Sequence, residues 1–345
     1  MVDDFTVPLR CCSRCTITER QSEITDMKPI CEQVQLWHST GGDAQSHIPQ
    51  SVPSYEEALD YCRELATSHY ENFPLVSWLL PKRLHAHFYS IYAFCRWADD
   101  LGDEIDDCRQ SLELLGWWRS ELEACFRGEC RHPVFVALRS TIQDKQIPIE
   151  PFTDLISAFE QDQTVHEYDT FEQLLDYCTR SANPVGRLLN HLWSQSNEAS
   201  LEWSDSICTG LQLANFWQDV DRDLSIGRIY LPREDREKFG VTREMLESRQ
   251  STPEFLELMK FEVDRARKFL VSGASVIDQL PLLIQIDIEL FAAGGLCVLD
   301  RIRKIGYRVL DRRPVVSRGA ALKLLIAATV RVCVRALRRP FRRQL

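Results

Sequence analysis

Glycine and proline are scarce in this chain of 345 residues, which contains 14 glycines and 15 prolines. Tight turns depend on these two residue types, so the scarcity argues against many short strands joined by turns and favours helices. A regular alternation of strands with helices is also missing, as is an internal repeat of fixed period. The sequence therefore predicts an all-α chain.

Long apolar segments are missing too. No uncharged apolar run approaches the roughly eighteen residues that a membrane-spanning helix needs. The first ten residues are acidic and lack the apolar stretch of a secretion signal. We therefore expect a cytoplasmic chain, in which cysteines remain reduced.

The cysteines follow no pattern typical of disulfides or zinc sites. They number 13, which is odd, and many lie in apolar helical patterns, where a free thiol behaves as a small hydrophobic group. Near the N-terminus, Cys11, Cys12, Cys15 and Cys31 have no standard zinc spacing and no paired histidines after them. We expect free cysteines and no zinc.

Charge is distributed unevenly along the chain. The net charge is −10, yet residues 318–345 contain eight basic side chains and no acidic one. An acidic body disfavours nucleic acid as a partner. The basic segment includes LKLLIAATVRVCVRALRRPFRR, which is typical of an amphipathic helix on an anionic membrane surface. A final helix packed on the body, with a basic end, explains the same pattern.

Helical periodicity begins at Ser54, where Glu57 three residues later completes a capping-box signature. Residues 1–52 lack sustained periodicity, so we assign them to a poorly ordered extension. We predict one helical domain over 53–317, with 318–345 as its basic C-terminal helix. After the helix that starts at Ser54, helices are expected over 82–101, 108–127, 132–144, 149–162, 170–181, 185–193, 200–223, 242–248, 253–277, 283–303 and 320–337.

A dense acidic stretch, FCRWADDLGDE, occupies residues 94–104. On a helix, Asp99 and Asp103 share one column, and Asp100 and Glu104 share the next, so like charges face each other. One interpretation is a solvated helix end. The other is a magnesium site, in which the ion offsets the repulsion and bridges to phosphate oxygens of a substrate.

A second acidic stretch, LQLANFWQDVDRDL, occupies residues 211–224. Asp219 and Asp223 repeat the spacing of four, and Asn215 lies one turn earlier on the same column. Two such helices facing each other across a cavity would form a metal site, and magnesium there would help a diphosphate to leave. Two separate exposed acidic faces would not explain why both stretches follow apolar segments.

Between the acidic stretches lies YCTRSANPVGRL, residues 177–188. Pro184 cannot donate a backbone hydrogen bond, so the helix must kink or break there. Relief of steric crowding against a neighbouring helix would be a sufficient cause of such a break. The same break can also open a cavity and aim carbonyl groups into it, and carbonyl groups and aromatic faces stabilise a carbocation.

Four segments together resemble the squalene and phytoene synthase family of trans-isoprenyl diphosphate synthases. They are IYAFCRWADDLGDE, YCTRSANPVGRL, LQLANFWQDVDRD and GRIYLPRED, and the resemblance covers about residues 55–313. It implies the isoprenoid-synthase helical bundle with a central apolar cavity. It also implies magnesium-dependent ionisation of an allylic or cyclopropylcarbinyl diphosphate, followed by a controlled carbocation rearrangement.

The resemblance also implies site residues and two or three Mg²⁺ ions bound with the diphosphate. The implied metal ligands and their acidic neighbours are Asp99, Asp100, Asp103, Glu104, Asp219 and Asp223. Arg96, Arg228 and Asn215 would contact the diphosphate, and Tyr177 would lie beside the cation. Arg96 could instead pair only with Asp100, and Tyr177 could be a core residue.

Two departures from the family pattern are informative. Residues 181–186 read SANPVG where the family usually carries VAG.VG, and Gln218 replaces the arginine of the usual NxxRD. Both changes resemble the hydroxysqualene synthase branch of the bacterial hopanoid pathway, whose members expel diphosphate from presqualene diphosphate and add water. Ser181 or Asn183 would position that water. The alternatives are condensation of two farnesyl diphosphates and a non-catalytic binding or assembly role.

The expected cofactor and partners follow from the same comparison. The segment GGLCVLD at 294–300 is an apolar helical pattern, not a dinucleotide-binding glycine fingerprint, and no NADPH is expected. The resemblance implies an isoprenoid diphosphate substrate, and a presqualene diphosphate synthase and a flavin-dependent reductase in the same pathway. The missing secretion signal leads us to expect the chain in the cytoplasm, on the inner face of the membrane if the basic helix binds lipid.

Overall fold

The computed structural model describes residues 51–68, 80–105, 107–195, 197–274, 277, 282–316 and 318–342. Their regular secondary structure is helical, with one isolated β-bridge between Glu167 and Ile229, so the prediction of an all-α chain is confirmed. The cysteines in this part of the chain are free. Residues 1–50, with the four cysteines considered for zinc, lie outside the described residues. None of the described helices has the length and apolarity to cross a membrane.

The described residues form two compact helical units. The N-terminal unit comprises 51–68 and 86–164, and the C-terminal unit comprises 80–85 and 165–342. In the first, the helices are α1 (Tyr55–Ser68), α2 (His85–Asp103), α3 (Cys108–Arg127), α4 (Pro133–Lys145) and α5 (Glu150–Asp162). In the second, they are α6 (Phe171–Ser181), α7 (Asn183–Leu192), α8 (Glu198–Gln218), α9 (Val220–Ser225), α10 (Arg233–Phe239), α11 (Arg243–Glu247), α12 (Pro253–Ala274), α13 (Leu282–Lys304) and α14 (Arg318–Arg342).

The helices expected from periodicity are present, and α3 matches its prediction at both ends. The capping box of α1 is also present, because the backbone N–H of Ser54 donates to Glu57 Oε2 at 2.8 Å. The single helix expected over 200–223 is wrong in one respect. It divides at Asp219, whose φ of −106° and ψ of 15° interrupt the helical backbone between α8 and α9.

An aromatic core anchors α2 within the N-terminal unit. The rings of Trp97 and Trp118 stack with their centroids 5.3 Å apart, and Phe94 meets Phe152 edge to face at 4.9 Å. Trp97 also donates a hydrogen bond to the Tyr61 hydroxyl at 3.0 Å. Because aromatic contacts of this kind are directional, they fix the rotation of α2 and therefore the direction of its acidic C-terminal turn.

In the C-terminal unit, α8 packs against α7, α12 and α13. Several glycines lie at these close approaches. A Cβ atom added at Gly210 would come within 3.0 Å of the backbone nitrogen of Leu270 on α12. One added at Gly273 would lie 2.7 Å from the carbonyl oxygen of Trp203 on α8. These contacts bring the two backbones together and hold α8 firmly.

We expect Gly273→Ala to lower the free energy of unfolding by about 1–3 kcal/mol, because the added methyl group would press against backbone that cannot move aside cheaply. Gly294→Ala is the matched control, since a Cβ there meets nothing within 4 Å. The control should be neutral or slightly stabilising, because alanine favours helix more than glycine does. Urea denaturation of both variants measures the difference, and equal midpoints would contradict the packing argument.

Candidate active site

The first acidic stretch forms the C-terminal end of α2. Asp99 and Asp100 are buried, with exposed fractions of 8% and 4%, whereas Asp103 is exposed. Glu104 lies just beyond the helix and is also exposed, although its N–H still donates to the carbonyl oxygen of Asp100 at 2.9 Å. The columns predicted from the sequence are therefore kept, and each contains one buried and one exposed carboxylate.

Arg96 lies beside both buried carboxylates. Its Nη1 is 3.5 Å from Asp99 Oδ2, and its Nη2 forms an ion pair with Asp100. Burial raises the pKa of Asp100 to about 7, against the lowering effect of Arg96, and the nearby Glu104 and Asp103 add to the rise. The structure thus contains the pairing with Asp100 that was one of the two interpretations of Arg96. Contact with a diphosphate stays a prediction.

The second acidic stretch crosses the break between α8 and α9. Asp219 and Asp223 are buried, with exposed fractions of 7% and 5%, and Asn215 is half-buried one turn earlier. The N–H of Asp219 donates to the carbonyl oxygen of Asn215 at 3.0 Å, and the N–H of Asp223 donates to that of Asp219 at 2.8 Å. The break therefore leaves the predicted spacing of one turn intact.

An arginine that was not predicted contacts the second pair. Arg313 holds Asp219 with two bonds, from Nε to Oδ1 at 2.5 Å and from Nη2 to Oδ2 at 3.2 Å. The neighbouring Gln218 side chain donates to the carbonyl oxygen of Pro314 at 2.6 Å. The only signal in the sequence was a pair of arginines before a proline at 312–314. That pattern does not indicate which carboxylate the arginine contacts.

Arg228 lies just after α9, and its backbone is hydrogen-bonded to that helix. Its N–H donates to the carbonyl oxygen of Asp223 at 2.8 Å. Both residues line one small crevice, together with Phe216 and Tyr230. The C-terminal unit thus brings together three of the predicted features: a buried carboxylate, a basic side chain and aromatic faces.

Tyr177 belongs to a buried aromatic cluster with Tyr168, Phe216 and Tyr230. Its ring centroid is 5.5 Å from that of Tyr168 and 6.2 Å from that of Tyr230, and Phe216 stacks on Tyr230 at 3.9 Å. Tyr168 and Tyr230 were not predicted, and the β-bridge between Glu167 and Ile229 brings them together. Aromatic faces present negative potential, which suits the neighbourhood of a cation.

The break predicted at Pro184 is present. α6 ends at Ser181, Ala182 adopts φ −120° and ψ −48°, and α7 begins at Asn183. Asn183 is buried, and its Oδ1 accepts a hydrogen bond from the Thr209 hydroxyl at 3.0 Å. Ser181 is buried as well, and its hydroxyl has no hydrogen-bond partner among the described residues.

The donor chemistry fits a hard cation. Within the described part of the chain, no three His, Cys, Asp or Glu side chains converge on one metal position. Magnesium commonly takes only one or two protein carboxylates and completes its octahedral shell with water and phosphate oxygens. A pair of aspartates one turn apart, such as Asp99 with Asp103 or Asp219 with Asp223, suffices for that mode of binding.

Comparison with known proteins defines the class. Residues 66–320 match the family model of squalene/phytoene synthase. The chain therefore belongs to the squalene/phytoene synthase family, whose members act in isoprenoid biosynthesis. This confirms the resemblance found in the sequence and the isoprenoid-synthase type of fold.

Three individual proteins are informative relatives. The chain is 31% identical over 301 residues to the 15-cis-phytoene synthase of Synechocystis, covering 83% of this chain and 89% of that protein. It is 32% identical over 215 residues to the hydroxysqualene synthase of Sinorhizobium fredii, covering 61% and 71%. The crystal structure of squalene synthase HpnC from Alicyclobacillus acidocaldarius is 42% identical, with a TM-score of 0.71, covering 73% of this chain and 95% of that one.

Proposed function

We propose that this chain converts presqualene diphosphate and water into hydroxysqualene and diphosphate. The observation that carries the proposal is the pair of buried polar side chains, Ser181 and Asn183, at the helix break after Tyr177. Ser181 lies one turn from Tyr177, so the two side chains share a face of α6. The similarity to a hydroxysqualene synthase and to a squalene synthase HpnC supports the same choice.

The mechanism assigns each group a task. Asp99 with Asp103, and Asp219 with Asp223, would each bind Mg²⁺, which neutralises the charge of a departing diphosphate. Arg228 would bind diphosphate oxygens by charge-assisted hydrogen bonds. The bond from carbon to the diphosphate oxygen breaks, and the electron pair leaves with that oxygen.

The aromatic cluster and the polar break act after ionisation. The faces of Tyr177 and its neighbours would stabilise the cation without trapping it. Because the Asn183 oxygen already accepts from Thr209, the Ser181 hydroxyl is the better candidate to orient a water molecule. That water forms the new bond to carbon and releases a proton, so the products are hydroxysqualene, diphosphate and a proton.

A second candidate is the condensation of two farnesyl diphosphates. The similarity to a phytoene synthase over most of the chain favours it. Gln218, in place of the arginine that the family usually carries, argues against it. A non-catalytic binding role is the third candidate, and the presence of both aspartate pairs argues against that one.

Product analysis tests the three candidates. The purified protein with Mg²⁺ is given presqualene diphosphate or farnesyl diphosphate, each with and without NADPH, and products are identified by mass spectrometry. A C30 alcohol from presqualene diphosphate alone is the expected result. Turnover of farnesyl diphosphate would support condensation, a hydrocarbon made only with NADPH would mean reduction, and no product from either substrate would support the binding role.

We expect Ser181→Ala to lower the ratio of alcohol to hydrocarbon products about tenfold, because a cation that meets a less well-oriented water would more often lose a proton and form an alkene. Consumption of presqualene diphosphate should stay within about twofold of wild type, since ionisation precedes water capture. Ser206→Ala is the control, because that hydroxyl donates to the Phe269 carbonyl oxygen at 2.9 Å. An unchanged product ratio in Ser181→Ala would assign the water to another residue.

We also propose that α14 binds an anionic membrane surface. Ala328 and Val332 are buried, whereas Ile326, Val330 and Val334 are exposed by 56%, 54% and 39% and form one stripe at a spacing of four. The basic character of residues 318–345 complements anionic lipid, and the apolar stripe suits the headgroup boundary. An apolar C30 product would partition into the same membrane.

Vesicle sedimentation tests the membrane proposal. Wild type should bind phosphatidylglycerol vesicles, and a double variant Ile326→Asp with Val330→Asp should bind about tenfold more weakly. Val271→Asp is the matched control, because Val271 is an exposed valine on α12, with an exposed fraction of 57%. Equal binding of the double variant and wild type would overturn the proposal.

A further inference from the structure

We infer that Arg313 is the built-in counter-ion of Asp219 and that it competes with a divalent metal for this carboxylate. The inference rests on the proposed metal-binding role of the second acidic pair. It adds a residue that the motifs do not contain. It also gives Gln218, the departure from the family pattern, a positioning role.

The geometry is that of a guanidinium fork on a carboxylate. Arg313 contacts both oxygens of Asp219, one from Nε and one from Nη2. Bidentate pairs of this kind are among the strongest hydrogen-bonded contacts in proteins. The side chain of Asp219 is only 8% exposed and that of Arg313 26%, so solvent screening of the pair is weak.

The two Asp219 oxygens cannot accept both hydrogen bonds from the arginine and coordinate a metal ion at the same time. Mg²⁺ and Mn²⁺ bind carboxylate oxygens at short distances and repel a neighbouring cation. A metal that binds Asp219 must therefore displace at least one arm of the fork. The apparent metal affinity of the free protein is reduced by the cost of that displacement.

Gln218 fixes where the guanidinium can reach. Its side-chain N–H donates to the Pro314 carbonyl oxygen at 2.6 Å, and the residue is only 2% exposed. The segment is held a second time, because the Ser251 hydroxyl donates to Asp311 Oδ1 at 2.7 Å. Gln218 directly precedes Asp219 in the chain and stands where the family usually carries an arginine. Its amide holds the segment from which a different arginine, Arg313, reaches Asp219.

The competition predicts coupling between metal and diphosphate. In the free protein the guanidinium opposes the metal. When diphosphate is present, its negative charge offers the displaced guanidinium a new anionic partner, so each ligand should strengthen binding of the other. Without Arg313, the metal should bind more tightly alone and gain less from diphosphate.

Manganese binding without substrate tests the inference. The free Mn²⁺ signal in electron paramagnetic resonance gives the affinity of the full chain, first alone and then with inorganic diphosphate. Arg313→Gln should bind Mn²⁺ alone about tenfold more tightly than wild type, and the gain from diphosphate should shrink. Gln218→Ala should shift the affinity in the same direction by a smaller factor. Arg312→Gln, an exposed neighbour, should match wild type.

The outcomes separate this inference from the proposed function. Asp223→Asn should lose the Mn²⁺ ion bound by Asp219 and Asp223, whereas binding by Asp99 and Asp103 should remain. If it does, and Arg313→Gln binds as wild type or more weakly, the inference is overturned and the metal site stands. If Asp223→Asn binds as wild type, both the metal site and the inference are wrong. Far-UV circular dichroism checks that each variant is folded.

Discussion

Asp223→Asn is expected to lower Mg²⁺-dependent turnover by at least about a hundredfold, or about 3 kcal/mol of transition-state stabilisation. Asparagine keeps the size of the side chain but removes the charge that would hold the metal. Asp223 is buried beside Arg228 and the aromatic cluster, so solvent cannot replace the lost charge. The effect is measured as the rate at which product is released from presqualene diphosphate at saturating Mg²⁺.

The helical fold should persist in Asp223→Asn, because removing one of two neighbouring carboxylates relieves repulsion. Asp221→Asn is the control on the same short helix, since Asp221 is 47% exposed and pairs with Arg249. It should keep its rate within about twofold, because exposed pairs contribute little. Asp99→Asn, in the N-terminal unit, should lower Mg²⁺-dependent turnover in the same way. A wild-type rate in Asp223→Asn would remove that residue from the site.

Arg265→Met is expected to give the largest loss of stability, about 3–5 kcal/mol. Arg265 bonds to Glu262 Oε1 at 2.7 Å and also pairs with Asp235, and both carboxylates are buried. Its guanidinium carbon lies 3.7 Å from the ring centroid of Phe171. Removing the arginine would leave two buried carboxylates together and loosen α10 and the start of α6 from α12.

The loss should depend on pH. Burial raises the pKa of Glu262 to about 8 even with Arg265 beside it. A carboxyl group whose folded pKa is raised favours folding at low pH, and this contribution falls as pH rises through the folded pKa. Without the arginine the pKa rises further, so Arg265→Met should be destabilised more at pH 9 than at pH 5.

Chemical denaturation at the two pH values measures this dependence. Arg267→Met is the matched control, because Arg267 pairs with Asp300 at a more exposed position, with 32% and 42% of the two side chains exposed. Arg267→Met should lower the free energy of unfolding by less than about 1 kcal/mol at both pH values. Equal losses in the two variants would mean that the buried cluster contributes no more than a surface pair.

Much of this architecture could be predicted from local patterns. The boundaries of α3, the break at Pro184 and the acidic columns all depend on residues within one or two turns of each other. The periodicity of apolar residues records such short-range relations directly. The family resemblance rested on the same local segments, and the match over 66–320 confirms it.

Relations between distant residues could not be predicted. Arg313 and Asp219 are 94 positions apart, and Gln218 reaches Pro314 across 96, so no spacing rule connects them. The helix α10 was missed because its seven residues, REDREKF, carry little apolar periodicity. Its contact with α12 through Asp235 and Arg265 supplies the stabilisation that the local sequence lacks.

The position of Arg313 matters while the chain is being synthesised. Domains generally begin to fold from the N-terminal side as they emerge from the ribosome, and Asp219 emerges 94 residues before its arginine. Until then, Asp219 and Asp223 must approach each other without that guanidinium. The second acidic pair is therefore completed late, and a premature stop before Arg313 would leave it without this counter-ion even though both motifs had been translated.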